Sequence, residues 1–429
     1  MVKSNSKDKK MQINGVSQRI LEQSVMYLTQ CENKNISLDN CLDHLRKKND
    51  HTEKAAVASL LFEYFRHKSF IDGLIKKYAR KNGIAQEIRL LITCAATQAF
   101  FQKGIVKQSA VNVAVDTAKK LRGKSCGGFV NAMLRSMLRD TDFDHDNIPA
   151  SFPEALKERW ANAFSADELQ ALLNQYASNP PLTFRTRNPI PEQQLLDWQA
   201  KKITDLDFTG PFEFYRTENQ NLLFKNSDWQ KQNIYIQDPA TSMPFSLLTQ
   251  VPSGKILDAC SAPGGKTILL YDLCRQHNIT PQITASDRSE ARIRQLQENL
   301  QRADIPADIV QADAKELPFE QESFDWILAD VPCSNTGVIR RRPDAPWRFT
   351  GKKLREIVNL QREILDSLQK YVRHDGFLLY STCSIEKDEN NIQIQEFIKQ
   401  NPDFTLIQQR LLLPSENHDG AFAALLQKK

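Results

Sequence analysis

Apolar positions between residues 12 and 139 recur at helical spacing throughout. Ala110, Val113, Ala114, Thr117, Ala118 and Leu121 fall at i, i+3, i+4, i+7, i+8 and i+11, a narrow stripe suited to close helix packing. The spacing predicts helices near 12–31, 37–48, 53–67, 69–81, 86–102, 108–121 and 127–139. Gly83, Gly104 and Gly123 punctuate them as C-terminal caps do. The polar run Asp140 to Pro149 closes this all-α first domain, placed at 1–145.

The pattern then changes. Ser165 and Glu168 form a capping box for a helix reaching about Gln175, and Pro191 opens another to about Lys202. Leu182–Arg187 alternates like a strand, and short apolar pieces near 206–209, 222–224 and 234–236 are further strand candidates. Residues 146–240 read as a small α/β module. From 241 to 429 strands near 255–260, 282–286, 308–311, 324–329 and 377–381 alternate with helices reaching about Gln276 and at 289–302, 352–373 and 387–400. That alternation predicts a doubly wound, Rossmann-like parallel sheet, with ligands outside the carboxyl ends of its strands.

Composition adds little until it is divided. The chain has 429 residues, 41% hydrophobic and 25% charged, with a net charge of +5. Residues 1–150 hold 25 basic and 15 acidic side chains, or +10, and the remainder is −5. A basic helical domain in front of an acidic α/β domain points to a polyanionic partner such as nucleic acid. The longest mostly apolar stretch, Leu90 to Phe101, is too short to span a membrane, for which about 20 residues are needed. The basic, polar start lacks the apolar run of a secretory signal, so the eight cysteines are expected as reduced thiols in the cytoplasm. No His or paired Cys completes a tetrahedral metal set, and no metal is expected.

The candidate chemistry lies at strand ends. Asp258–Thr267 (DACSAPGGKT) joins the first strand of this domain to its helix. It ends like a phosphate loop, but Cys260 stands where that motif needs glycine, and no G-x-G-x-x-G occurs. Asp258, Asp287, Asp313 and Asp330 stand at or beside four successive strand ends. A carboxylate after the second strand can accept both hydrogen bonds of a ribose diol. With the glycine loop, these acids suggest a nucleoside-type ligand such as S-adenosylmethionine.

Two cysteines share that edge, Cys333 in Pro332-Cys333-Ser334 and Cys383 in Thr382-Cys383-Ser384. Carbon 5 of cytosine is a poor nucleophile. A thiolate adding to carbon 6 makes carbon 5 nucleophilic enough to accept a methyl group, and a second thiol can assist release. Asp330, three residues before Cys333, is placed to hold the base edge.

DACSAPGGKT, DVPCSNTGVIRRRPD and STCS are similar to the RNA cytosine-5 methyltransferases. Residues 86–139, with Gly128-Phe129-Val130-Asn131 and Leu134-Arg135, resemble a NusB-type RNA-binding domain. Together they resemble the RsmB (Sun/Fmu) group of bacterial 16S rRNA methyltransferases, whose usual target is cytosine 967. The closing Asp419-Gly420-Ala421-Phe422 matches the group's ending only in part.

The resemblance implies that Cys260, Ser261, Ala262, Pro263, Gly264, Gly265 and Lys266 form the first cofactor motif. It implies that Asp287 takes the ribose hydroxyls, that Asp313 lies on the adenine side, and that Asp330 lies between cofactor and base. It also makes Cys383 the nucleophile and Cys333 the release thiol. Spacing alone leaves that order open, because DNA cytosine-5 methyltransferases attack with the Pro-Cys thiol. Lys266 either neutralises Asp330 or meets substrate. Expected RNA contacts are Arg340, Arg341 and Arg342, Arg185 and Arg187, and the cluster Lys119, Lys120, Arg122 and Lys124. The expected substrate is small-subunit rRNA, free or in a partly assembled particle, and the expected state is a monomer. A DNA methyltransferase and a non-catalytic NusB-like assembly factor are the competing readings.

Overall fold

The computed structural model describes residues 4–34, 36–46, 51–79, 83–145, 147–219 and 233–429. Contacts divide the chain into two compact units. The first holds residues 1–173 and the segment Ile339–Arg348, and the second holds 174–338 and 349–429. This differs from separate domains at 1–145, 146–240 and 241–429. Of the expected middle module, helix Glu154–Ala161 lies in the first unit and Ala166–Ala177 begins there, whereas helix Glu192–Asp197 and the strands belong to the second.

The first unit is helical, with helices Ser4–Lys34, Leu38–Arg46, His51–Arg66, Lys68–Tyr78, Gln86–Phe101 and Lys107–Leu138. The last is two helices joined at a kink, where Arg122 and Gly123 leave helical geometry and Gly123 takes φ 84°. A left-handed backbone there favours glycine, so the expected break falls in place. The stripe from Ala110 to Ala118 is buried, and Leu121, beside the kink, is exposed. The capping box is formed: Ser165 N donates to Glu168 Oε2 at 2.8 Å, and Glu168 N donates to Ser165 Oγ at 3.3 Å.

The second unit carries two sheets. The smaller is antiparallel, in the order β2-β3-β1-β4, from β1 (Leu182–Thr186), β2 (Lys201–Lys202), β3 (Phe214–Thr217) and β4 (Ile234–Ile236). The helix after Pro191 stops at Asp197, because Lys201-Lys202 pairs with β3. The piece at 206–209 is not a strand, although Phe208 is buried there, and 222–224 lies outside the described residues.

The larger sheet has the order β10-β11-β9-β8-β5-β6-β7. Its strands are β5 (Lys255–Asp258), β6 (Gln282–Asp287), β7 (Ala307–Gln311), β8 (Phe324–Asp330), β9 (Val372–Thr382), β10 (Phe404–Leu412) and β11 (Ala421–Lys428). β5 to β9 pair in parallel, while β11 runs antiparallel to both β9 and β10, so the sheet is mixed. Strand alternation serves both faces: Phe377 and Leu379 enter one core, Leu378 and Tyr380 the other. The strand order reverses between β5 and β8, which places a crevice at their carboxyl ends. No helix among the described residues is long and apolar enough to cross a membrane.

Candidate active site

The β5 loop is built by hydrogen bonds to its neighbours. Ser261 N and Oγ both donate to Ser286 O, at 2.9 and 3.1 Å, tying the loop to β6. Gly264 N closes a turn on Ser261 O at 2.7 Å. Gly264 has φ 103°, and a Cβ there would lie 2.9 Å from Leu296, so glycine is required twice over. Arg292 donates to Ala262 O, Asn299 Nδ2 donates to Pro263 O at 2.8 Å, and Gln237 Nε2 donates to Gly265 O at 3.2 Å.

A cavity opens at the carboxyl ends of β5 to β8. Cys260, Asp287 and Asp313 line it, with Arg292 at its rim and Ala314, Pro332, Leu360 and Ile364 as its apolar wall. Asp287 is almost fully buried and pairs with Arg292 at 3.2 Å. Burial pushes the Cys260 thiol up, helped by the charges of Asp258, Asp287 and Asp330. Below the loop, Asp258 is fully buried, and its Oδ2 accepts from Thr267 Oγ1 at 2.6 Å. Its Oδ1 lacks a hydrogen-bond partner among the described residues, and burial raises its pKa to about 7. Carboxylates beside an apolar wall suit a ribose diol and a purine ring, so the residues present fit S-adenosylmethionine.

The two thiols meet. Cys333 Sγ and Cys383 Sγ are 3.1 Å apart, although 50 residues separate them in the chain. Both follow strands that pair in parallel, with Asp330 opposite Ser381 in the register, and this brings the two loops side by side. Cys383 donates to Asn335 Oδ1 at 3.1 Å, and Asn335 Nδ2 donates to Cys333 O at 3.1 Å. Its bond to Cys383, then burial, pushes the Cys333 thiol well up, favouring the protonated form.

Asp330 is held from both sides: Lys266 Nζ lies 2.6 Å from Oδ2, and Ser381 Oγ donates to Oδ1 at 3.0 Å. Lys266 thus pairs with Asp330, one of its two expected roles. Burial opposes its charge, but Asp330 together with the nearby Cys383 and Asp258 outweighs that cost and raises its pKa. Gly337 N donates to Cys383 O at 2.9 Å. A Cβ on Gly337 would sit 2.6 Å from Gly420 O and 2.8 Å from Cys383 O. The Asp419-Gly420 turn therefore packs directly on the cysteine loop.

The arginines are placed differently from expectation. Arg185 and Arg187 do share a strand face, but it points inward. Arg185 is fully buried and bonds Asp272 Oδ2 at 2.7 Å, and Arg187 grips the same carboxylate in bidentate fashion. A buried acid claims both guanidinium groups, so neither presents a charge to phosphate. Arg340 is also buried, and Arg342 pairs with Asp39 at 2.8 Å. Their segment packs on the helical unit: Trp347 Nε1 donates to Phe65 O at 2.8 Å, and Asp344 Oδ2 accepts from Leu38 N at 3.0 Å. Arg340, by burial, and Arg342, by its ion pair, thus have partners within the first unit, in place of three open cations for phosphate. Lys119, Lys120, Arg122 and Lys124 are exposed. The first three touch Asp116, Gln18 and Glu87 respectively.

The residues that sequence reasoning passed over are Asn335, Gln361, Ser381, Glu389 and Asn390. All are polar groups at or beside the thiol loops. Asn335 and Ser381 lie inside the motifs DVPCSNTGVIRRRPD and STCS, and Gln361, Glu389 and Asn390 are distinguished only by their hydrogen bonds, which spacing does not reveal.

Residues 245–427 match the family described as 16S rRNA methyltransferase RsmB/F, and residues 17–139 match the NusB family. A ribosomal RNA small subunit methyltransferase B of Vibrio cholerae is 28% identical over 417 residues, covering 92% of this chain and 94% of that protein. One from Escherichia fergusonii is 28% identical over 416 residues, covering 92% and 95%. The crystal structure of PH0851 superposes with a TM-score of 0.75 at 20% identity, covering 97% of this chain and 99% of that one, a likeness of fold.

Proposed function

Starting from a chain whose residues 245–427 match the RsmB/F 16S rRNA methyltransferases behind a segment that matches the NusB family, we propose that it methylates carbon 5 of a cytosine in small-subunit rRNA through a covalent Cys383–cytosine adduct. The observation that carries this reading is the pair of thiols 3.1 Å apart beside the Lys266–Asp330 ion pair. Rossmann-like methyltransferases of this family use S-adenosylmethionine, and when bound it supplies an electrophilic methyl group.

The protein's own residues do the rest. Cys260, Asp287 and Asp313 border the cavity in which the nucleoside half fits. Cys383 adds to carbon 6 of a base that has left its stack, and the electron pair released towards carbon 5 makes that carbon nucleophilic. Lys266 favours negative charge nearby, and Asp330 faces the developing adduct with its orientation fixed from both sides. Water takes the carbon-5 proton, the electron pair left behind re-forms the carbon 5–carbon 6 double bond as the carbon 6–sulfur bond breaks, and Cys333, held protonated next to Cys383, gives its proton to the departing thiolate. The exposed cluster from Lys119 to Lys124 is proposed to contact RNA phosphates, which position without specifying. The protein is proposed to act as a monomer, on cytosine 967 of free rRNA or of a partly assembled particle.

The test is nucleoside analysis. The protein, S-adenosylmethionine and unmodified 16S rRNA should give 5-methylcytidine at one site, mapped by mass spectrometry of RNA fragments. Methylation of DNA alone, or of another base atom, would overturn the reading. RNA binding without methyl transfer would favour an assembly factor.

A further inference from the structure

Glu389 lies six residues after Cys383, on the turn that leads from β9 into helix Asn391–Gln400, and it is fully buried. Four hydrogen bonds converge on its carboxylate. Oε2 accepts from Ser334 N at 2.9 Å and from Gln361 Nε2 at 3.0 Å. Oε1 accepts from Ser384 Oγ at 2.7 Å and from Ser334 Oγ. Ser334 follows Cys333 and Ser384 follows Cys383, so one carboxyl group holds the residue after each thiol. Gln361 also donates to Pro332 O at 2.9 Å, the residue before Cys333. Asn390 completes the frame: it accepts from Thr382 Oγ1 at 2.7 Å and donates to Ser384 O at 2.9 Å. Both cysteines are thus held on either side by Glu389, Asn390 and Gln361.

A buried carboxylate is costly unless fully bonded. Four donors aimed at one point need an acceptor-only group. A glutamine would turn its amide hydrogens towards two of those donors. The bonds reach the neighbours of the thiols, so the group works through loop geometry.

We propose that Glu389 is a positioning residue that holds the Cys333 and Cys383 loops together and so sets the distance between the attacking and releasing thiols. The proposal rests on the two-thiol mechanism, but its test can be read without it. Diamide, a diazene oxidant, couples two neighbouring thiols: one S–S bond forms, and both hydrogens pass to the nitrogens, giving the hydrazine. Only thiols that can reach disulfide geometry react quickly. The full-length protein is treated with diamide, and the Cys333–Cys383 disulfide is followed by peptide mass spectrometry. The Cys31–Cys41 pair, 3.2 Å apart in the other unit, serves as an internal control.

For Glu389→Gln the Cys333–Cys383 rate should fall about tenfold or more, while the Cys31–Cys41 rate stays at the wild-type value. In turnover, kcat should fall about 100-fold, as a displacement near 1 Å costs, with KM for RNA changed less than about twofold. Glu389→Asp should restore part of both. Where Glu389→Gln fails to fold, Ser384→Ala and Ser334→Ala each remove donors from the same carboxylate and should slow the disulfide by smaller factors. Wild-type disulfide rates in the folded variants would overturn the proposal. A slowed disulfide together with no role for Cys333 in turnover would leave the positioning intact and sink the release-thiol reading instead.

Discussion

Two pairs of thiols sit at almost the same separation in the two units, Cys31–Cys41 at 3.2 Å and Cys333–Cys383 at 3.1 Å. The first pair joins helices Ser4–Lys34 and Leu38–Arg46 and packs into the apolar core of the helical unit. The hydrogen bond between its two thiols, then burial, pushes the Cys31 thiol up. The second pair ends two parallel strands beside an ammonium, a carboxylate and an amide acceptor. Proximity is common to both. An ion pair, Asp344 with Arg348, reaches the first thiols as well; what separates a chemical pair from a packed one is the direct hydrogen bond to Asn335 and a place at the carboxyl ends of the sheet.

That contrast can be broken in graded ways. Cys383→Ala should abolish methyl transfer, a drop of about four orders of magnitude or more, measured with labelled S-adenosylmethionine. Lys266→Met should lower kcat about 10²- to 10³-fold by removing the cation beside Asp330 and Cys383, and a milder loss would reduce Lys266 to a structural role. Gly337→Ala forces a Cβ against Cys383 O and Gly420 O. It should cost about 1–3 kcal/mol in urea unfolding and reduce turnover by moving the thiol.

Asp258 gives a pH effect. Its folded pKa of about 7 lies above the ordinary carboxyl value, so the folded state holds the proton longer than the unfolded chain. Its contribution to stability is therefore present below about pH 4 and is lost as pH rises through about 7, a change of a few kcal/mol. Asp258→Asn should flatten that part of the stability–pH curve. Last, Cys41→Ser should leave turnover within about twofold and cost only about 1–3 kcal/mol of stability. A large loss of activity there would erase the distinction between the pairs.

Much of this was legible where a local rule decides the outcome. Helical spacing located the first unit's helices, and a glycine requirement located the kink at Gly123. The strand-end acids and thiols were legible because alternating β and α segments fix which loops share an edge. β11 was not, because Ala421–Lys428 is Ala- and Leu-rich, a composition without strand preference. It becomes a strand only by insertion between β9 and β10, almost wholly buried. β10 was missed with it, as its run of exposed residues lacks clear alternation. Charge was the weakest guide. Arg185, Arg187 and Arg340 look like surface cations in the sequence, yet each lies inside the fold. Asp272 claims the first two. Glu389 was illegible for the converse reason: its importance lies in four donors brought together from three separate segments.

The central claim concerns which thiol attacks. Incubating the protein and S-adenosylmethionine with 5-azacytidine-substituted 16S rRNA should trap a denaturation-resistant adduct. Peptide mass spectrometry of that adduct should place the nucleotide on Cys383, Cys383→Ala should abolish it, and Cys333→Ala should retain it and accumulate adduct on unmodified RNA as well. Attachment at Cys333, or trapping on DNA but not on RNA, would contradict the account.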